Sequence, residues 1–388
     1  MTGSGARVYL TAMRIISFEF HDKKSDWHLE ETKFDQFNLL VGLSGAGKTK
    51  IVEALRRVCR TATKKEIDQD PARWRIAFEH KGTAFSWQFE SAALPESLLE
   101  GAPTASRTGV LSETLIANQS PLVDRSGDAF SFKGAQLPKL DATESAISLL
   151  RKEAEIQSAH RALRQAIFST GTMGPVHVPS NSNPVDGEPL SLAGLRSIFA
   201  SIGSNTGWSL APLMALYLQQ WFPEELDQIR ERYLDIFPSL EDLRVAFLQD
   251  GEASRVEFSI KERGVERQIP QAEVSSGMKK VLAFLVELAC TPSGSVFLLD
   301  ELENSLGINC MPELVDALLA RPNLQFILTS HHPYIINKIP VADWKVVTRQ
   351  ANRVKVLSAR DIPALKGASH HQAFTRLINL PEYEAGIS

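Results

Sequence analysis

The sequence predicts an α/β fold built on a parallel sheet, and three observations predict it. The apolar run Phe37-Asn38-Leu39-Leu40-Val41 feeds straight into Gly42-Leu43-Ser44-Gly45-Ala46-Gly47-Lys48-Thr49, a strand followed by a G-x-x-x-x-G-K-T loop and a helix start. A second apolar run, Val296-Phe297-Leu298-Leu299, ends in Asp300-Glu301, the form of a strand buried on both faces with acidic groups at its carboxyl edge. A third, Phe326-Ile327-Leu328-Thr329, delivers Ser330-His331-His332-Pro333 to the same kind of edge.

The remaining elements follow in order. Residues 13–20 read as a first strand and 33–41 as the strand entering the glycine loop. Residues 74–78 and 85–89 read as an antiparallel pair turning at Lys81-Gly82. The helix from Thr49 to about Arg60 carries Ile51, Val52, Leu55 and Val58 at helical spacing. From 91 to about 141 the pattern is weak and rich in Ser, Gly, Pro and Ala. Residues 145–168 then read as helical, with Ile147, Leu150, Ile156, Leu163 and Ile167 apolar. The Gly, Pro, Ser and Asn density of 171–189 predicts an exposed loop. Helices are expected over 211–221 and 224–237, split by Pro223, then strands over 243–247 and 255–260. A strongly apolar helix carries Met278, Val281, Leu282, Leu285 and Leu288. A hairpin over 344–357 and a short helix over 371–380 close the pattern. The implied organisation is a tail over 1–12, a first part of the α/β domain over 13–90, a helical and loop insertion over 91–236, and the domain's second part over 237–388.

Composition narrows the classes. The chain has 388 residues, enough for one large domain with an insertion or for two domains. Its 43% hydrophobic and 23% charged residues exclude a largely disordered chain, and its net charge of -4 excludes a uniformly basic nucleic-acid coat. Cys59, Cys290 and Cys310 lie far apart without metal-ligand spacing and read as buried thiols in a reducing cytosol. The apolar stretch 281–290 is interrupted by Glu287 and too short to span a bilayer, and no signal-peptide core is present, so neither membrane nor secretion is expected.

The chemistry follows from residue types at these positions. A glycine loop entering a helix aims successive backbone N–H groups at phosphates, so residues 42–49 predict a bound nucleoside triphosphate. Gly42, Ser44, Gly45, Ala46 and Gly47 would cradle it, Lys48 would reach the β and γ oxygens, and the Thr49 hydroxyl would sit on Mg²⁺. Asp300 would hold the same ion through water, and Glu301 would orient and polarise the attacking water. Val274-Ser275-Ser276-Gly277-Met278-Lys279 is by itself only a helix cap.

Taken in order, residues 42–49, 274–279, 296–301 and 329–333 resemble the Walker A, signature, Walker B and switch-histidine motifs of ABC-type ATPases. More narrowly the chain is similar to the ABC-like AAA ATPase group related to OLD, RecF and SMC head domains. Phe237-Pro238-Ser239-Leu240-Glu241-Asp242 and Asp300-Glu301-Leu302-Glu303-Asn304-Ser305-Leu306 also fit. The resemblance implies a P-loop NTPase of ABC-head form, with an accessory antiparallel sheet and a helical insertion, that uses ATP and Mg²⁺. It implies His331, rather than His332, as the switch histidine. It further implies an ATP-bridged head-to-tail homodimer or higher oligomer in which Ser275 and Gly277 of one chain, with Lys279 as an added charge, face Lys48 of another. Gly307-Ile308 stands where the group has His-Pro, and the Q-loop glutamine falls on Gln136 or Gln157. The long stretch between Thr49 and Val274 favours a lid or coiled-coil insertion over a permease subunit. No acidic cluster of a TOPRIM nuclease follows His331, so the resemblance implies a cytoplasmic switch for a separately encoded effector, nuclease or toxin, in bacterial antiphage defence. The alternative is a RecF- or SMC-type repair ATPase that clamps DNA.

Overall fold

The computed structural model describes residues 13–94, 108–169, 173–179, 184–185, 188–203, 209–250, 253–366 and 370–379. The expected tail over 1–12 lies outside them, as does part of the loop over 171–189. The described residues start with β1 (Met13–Asp22), β2 (Trp27–Lys33) and β3 (Phe37–Val41), so the single strand expected over 33–41 is two strands broken at Phe34-Asp35-Gln36. Then come α1 (Lys48–Thr63) and the hairpin β4 (Ala72–His80) and β5 (Thr83–Ala93), which turns at Lys81-Gly82 as expected. The four apolar positions read from α1 are all buried, worth about 1.5–3 kcal/mol each.

The segment 91–236 differs from the insertion the sequence suggested. It continues the sheet through β6 (Thr108–Ala117), β7 (Ser120–Ser126), β8 (Ala129–Phe132) and β9 (Ala135–Gln136). Next are α2 (Ala146–Leu149), α3 (Ala154–Arg164) and β10 (Ala166–Ser169), so Ile167 belongs to a strand and not to a long helix. Period and tertiary pairing compete here. Ala166 to Ser169 is an apolar tetrapeptide that helical and strand patterns fit equally, and it pairs with a strand more than a hundred residues later. After β11 (Val176–Pro179) come α4 (Leu192–Gly203), α5 (Ala211–Trp221) and α6 (Pro223–Ile236).

The last part contains β12 (Leu240–Asp250), β13 (Ala253–Glu262), β14 (Ile269–Pro270), α7 (Ser276–Cys290), β15 (Val296–Leu299), α8 (Met311–Leu319), β16 (Gln325–Thr329), α9 (Pro333–Lys338), β17 (Trp344–Gln350), β18 (Arg353–Ser358) and α10 (His370–Ile378). Among the described residues, one 14-stranded sheet runs β10-β15-β16-β3-β17-β18-β2-β1-β4-β5-β6-β7-β8-β9, and β11, β13, β12 and β14 form a 4-stranded one. Pairing from β10 to β17 is parallel, and pairing from β1 to β9 is antiparallel. This is the expected α/β fold, a parallel sheet continued by an accessory antiparallel one.

The parallel strands read as unbroken apolar runs because both faces are covered. Leu39, Val41, Phe297, Leu299, Phe326 and Leu328 join the core built with α4 to α10, whereas Leu40, Val296, Leu298 and Ile327 join the core built with α1 to α3. The accessory sheet is pinned to α2 by a buried carboxylate. Glu113 on β6 accepts from Ser145 Oγ (2.7 Å), the Ala146 N–H (2.7 Å) and Trp87 Nε1 (3.1 Å). All three cysteines are buried and free. Among the described residues no helix is long and apolar enough to cross a membrane.

Candidate functional site

Three neighbouring parallel strands end side by side and deliver the candidate groups to one edge. Leu299 pairs with Leu328, and Thr329 pairs with Leu40, so Asp300, Thr329 and the loop after Val41 emerge together. In that loop Gly47, the residue before α1, has a φ of 105°, a left-handed turn that glycine adopts without steric cost. That turn opens α1, and a helix N-terminus favours an anion through its free N–H groups and its dipole.

Thr329 is fully buried and links the two acidic residues. Its hydroxyl donates to Asp300 Oδ1 at 2.6 Å and accepts from the Glu301 N–H at 2.7 Å. The Thr49 hydroxyl donates to the same Asp300 oxygen at 3.2 Å. Glu301 has a φ of 47°, a left-handed backbone that costs an L-residue about 1–2 kcal/mol. Its carbonyl accepts from Lys280 Nζ at 2.9 Å. Lys48 curls back on its own loop, donating to the carbonyls of Gly42 (2.8 Å) and Leu43 (3.0 Å). Burial pushes the Lys48 ammonium below the usual lysine range, and the carboxylates of Glu303, Asp300 and Glu301 oppose that shift. Lys280 is displaced in the same direction by burial and restrained by the same three carboxylates.

The two histidines part ways at the end of β16. His332 Nδ1 accepts from the Tyr334 N–H at 3.2 Å and caps α9. His331 is held by Glu303, whose Oε1 accepts from its backbone N–H at 2.6 Å and lies 2.8 Å from its Nδ1. The ring is 64% exposed while the Glu303 side chain is 5% exposed. With Nδ1 on the carboxylate, Nε2 is the nitrogen left for a partner. The other oxygen of Glu303 is buried without a hydrogen-bond partner.

Ser275 is exposed and caps α7, accepting from the Met278 N–H at 3.2 Å. Gly277 is required for a different reason than the turn glycines: a Cβ there would collide with the carbonyl oxygen of Ser305 in the loop after Glu301. Among the described residues the contacts of Ser275 and Gly277 go to α7's first turn and to Ser305, not to residues 42–49. Gln136 is exposed in β9, at the far edge of the sheet, and Gln157 lies on α3. No hydrogen bond joins either to this site among the described residues.

The donor set fits ATP with Mg²⁺. Thr49 and Asp300 already face each other, and Mg²⁺ needs only one or two protein oxygens beside phosphate and water. Among the described residues no cluster of three His, Cys, Asp or Glu could hold a metal without such help. Glu303, Thr329 and Lys280 were not singled out from the sequence as site residues. Glu303 and Thr329 sat inside quoted motifs, whereas Lys280 gave no signal beyond a Lys-Lys pair.

A family model described as "AAA domain, putative AbiEii toxin, Type IV TA system" matches residues 37–337, from β3 through the glycine loop, α7, β15 and His331. The chain belongs to that family. It is a P-loop ATPase of the AAA kind, and ATP is the nucleotide such a domain binds. Solved structures similar to it are SMC heads. One is an Smc head bound to the C-winged helix domain of ScpA, 15% identical over 89% of this chain and 97% of that chain with a TM-score of 0.45. Another is an Smc head with an extended coiled coil bound to the C-terminal domain of ScpA from Pyrococcus furiosus, 13% identical over 95% and 99% with a TM-score of 0.49. A third is the SMC head from Thermotoga maritima, 12% identical over 89% and 98% with a TM-score of 0.42. No curated protein matches the chain.

Proposed function

We propose that this AAA-family chain is an Mg²⁺-dependent ATP hydrolase working as a cytoplasmic, dimeric switch for a separately encoded effector in antiphage defence. The observation that carries the hydrolase is the convergence of the Thr49 and Thr329 hydroxyls on Asp300, with the Glu301 N–H on the same Thr329 hydroxyl, at one sheet edge. Lys48 would leave its loop carbonyls for the β and γ oxygens, while Thr49 and Asp300 hold the cation. The ion they would hold would supply charge neutralisation on the phosphate oxygens. Glu301 would orient water, and His331 would bring Nε2 toward the γ-phosphate. Ser275 and Gly277, whose contacts in their own chain lead elsewhere, would meet the nucleotide of a second copy, so ATP joins two chains and hydrolysis parts them. The family's toxin–antitoxin description supports a conditional effector role.

Hydrolysis should vanish in Lys48→Ala and slow in Glu301→Gln with ATP binding kept. Mixing Lys48→Ala with Ser275→Arg chains should restore part of the activity, since one composite site stays intact. Absence of recovery, with a monomer by light scattering in Glu301→Gln at saturating ATP, refutes the shared site. For the defence role, Lys48→Ala should abolish protection in a phage challenge. Strong, salt-dependent duplex binding with no effect on phage survival would favour the DNA-clamp reading instead.

A further inference from the structure

Glu301 is held in its left-handed backbone from two sides. Its N–H is fixed by Thr329, a fully buried residue of the sheet, and its carbonyl accepts from Lys280 Nζ at 2.9 Å and from the Asn304 N–H of its own turn at 3.0 Å. Lys280 lies on α7, one turn after Ser275. The same turn touches the loop after Glu301 a second time, where Gly277 abuts the carbonyl of Ser305, itself at a φ of 64°. Residues 300–306 are thus gripped by the sheet on one side and by the first turn of α7 on the other. Lys280 is half-buried, and the charges facing it are the carboxylates of Glu303, Glu301 and Asp300. A strained backbone persists only where its surroundings over-determine it, and this ammonium is one of three groups that do so, the one supplied by a helix, beside the Thr329 hydroxyl and the Asn304 N–H.

We propose that Lys280 is a positioning residue: it fixes the Glu301 peptide so that the carboxylate aims at the attacking water, and it couples hydrolysis in its own chain to the helix that presents Ser275 to a partner's nucleotide. The proposal rests on Glu301 as the water-orienting group and on the shared site. Engagement of Ser275 in trans moves or steadies the first turn of α7. Lys280 carries that change to Glu301 in cis, so each site of the dimer senses the loading of the other.

The test measures turnover and ATP affinity in full-length Lys280→Met and Lys280→Arg, beside Glu301→Gln. Methionine keeps the stem and removes the charge. It should lower kcat by at least about tenfold with the ATP Kd changed less than about twofold, and arginine should restore kcat to within about threefold of the parent. An unchanged kcat in Lys280→Met, or a matching loss of ATP affinity, overturns the proposal. Mixed dimers then separate cis from trans. Against a Lys48→Ala partner only one site works, and Lys280→Met should depress it when placed in the chain that keeps Lys48 but not when placed in the Lys48→Ala chain. The reverse pattern would assign Lys280 to the partner's phosphates and overturn the proposal. Full turnover by Glu301→Gln would remove the reading beneath it, whereas normal turnover by Lys280→Met beside an inactive Glu301→Gln removes the proposal alone.

Discussion

Thr329→Val removes one hydroxyl from the centre of the site and nothing else of comparable size. The hydroxyl donates to a carboxylate at 2.6 Å and accepts from the Glu301 N–H at 2.7 Å, in a position with no exposed surface. A hydrogen bond to a charged group contributes about 1.5–3 kcal/mol, and a buried donor left unpaired costs about 1–3 kcal/mol. Asp300 keeps the Thr49 hydroxyl at 3.2 Å, which softens the first loss. The expected cost is therefore about 3 kcal/mol, a large share of the roughly 5–15 kcal/mol that holds a domain folded. Urea unfolding should show it as a midpoint lowered by about 1 M at a slope near 3 kcal/mol/M. Turnover should fall by at least about tenfold, because both acidic residues lose their common anchor. Thr329→Ser keeps the hydroxyl and should cost about 1 kcal/mol for the lost methyl. The reasoning is refuted if Val costs less than about 0.5 kcal/mol, or if Ser is as damaging as Val.

Glu303→Gln should lower kcat by about 10- to 100-fold while ATP binding persists, since a charged partner of His331 is exchanged for a neutral one; equal turnover in a steady-state assay would free His331 from Glu303. Glu113→Leu leaves the Ser145, Ala146 and Trp87 donors without their acceptor and should destabilise the accessory sheet by about 3 kcal/mol or more in denaturant titration, with the far sheet losing hydrogen-exchange protection before the site does. Burial pushes His80 and His160 down to about 4 from 6.5. Each folded-state value lies below the unfolded one, so the stability they lend is full above pH 6.5 and is lost as pH falls toward 4. By pH 5 the loss should be about 2 kcal/mol per histidine, and a His80→Gln, His160→Gln chain should show a flatter profile of urea midpoint against pH.

What the sequence made legible followed from where its signal is local. Residues 42–49, 296–301 and 326–333 carry strand, turn and ligand chemistry within a few positions, and all three meet at one edge in the fold. The accessory strands beyond Ala93 were not legible, because β6 to β9 show only short apolar alternations among Ser, Gly and Ala and depend on β5 as a template. Ile167 was misplaced because four apolar residues fit helix and strand alike, and its pairing with Phe297 decides between them. Lys280 could not be found at all from sequence. Its meaning lies in a carbonyl 21 residues away that only the packing of α7 brings within reach.

The order of the parallel strands also has a consequence for synthesis. β3 pairs with β16 and β17, so the strand that enters the glycine loop has no hydrogen-bonded neighbour until about residue 325 has left the ribosome. For most of translation Leu39, Leu40 and Val41 form an apolar segment with both edges open, which is the state that pairs wrongly with other chains. β1, β2, β4 and β5 can close on one another early through sequence-local antiparallel contacts, and then wait. The nucleotide site is therefore made late, when β16 and then β17 reach β3, and a ribosome that stops before β16 leaves a folded accessory sheet tethered to an unformed ATPase.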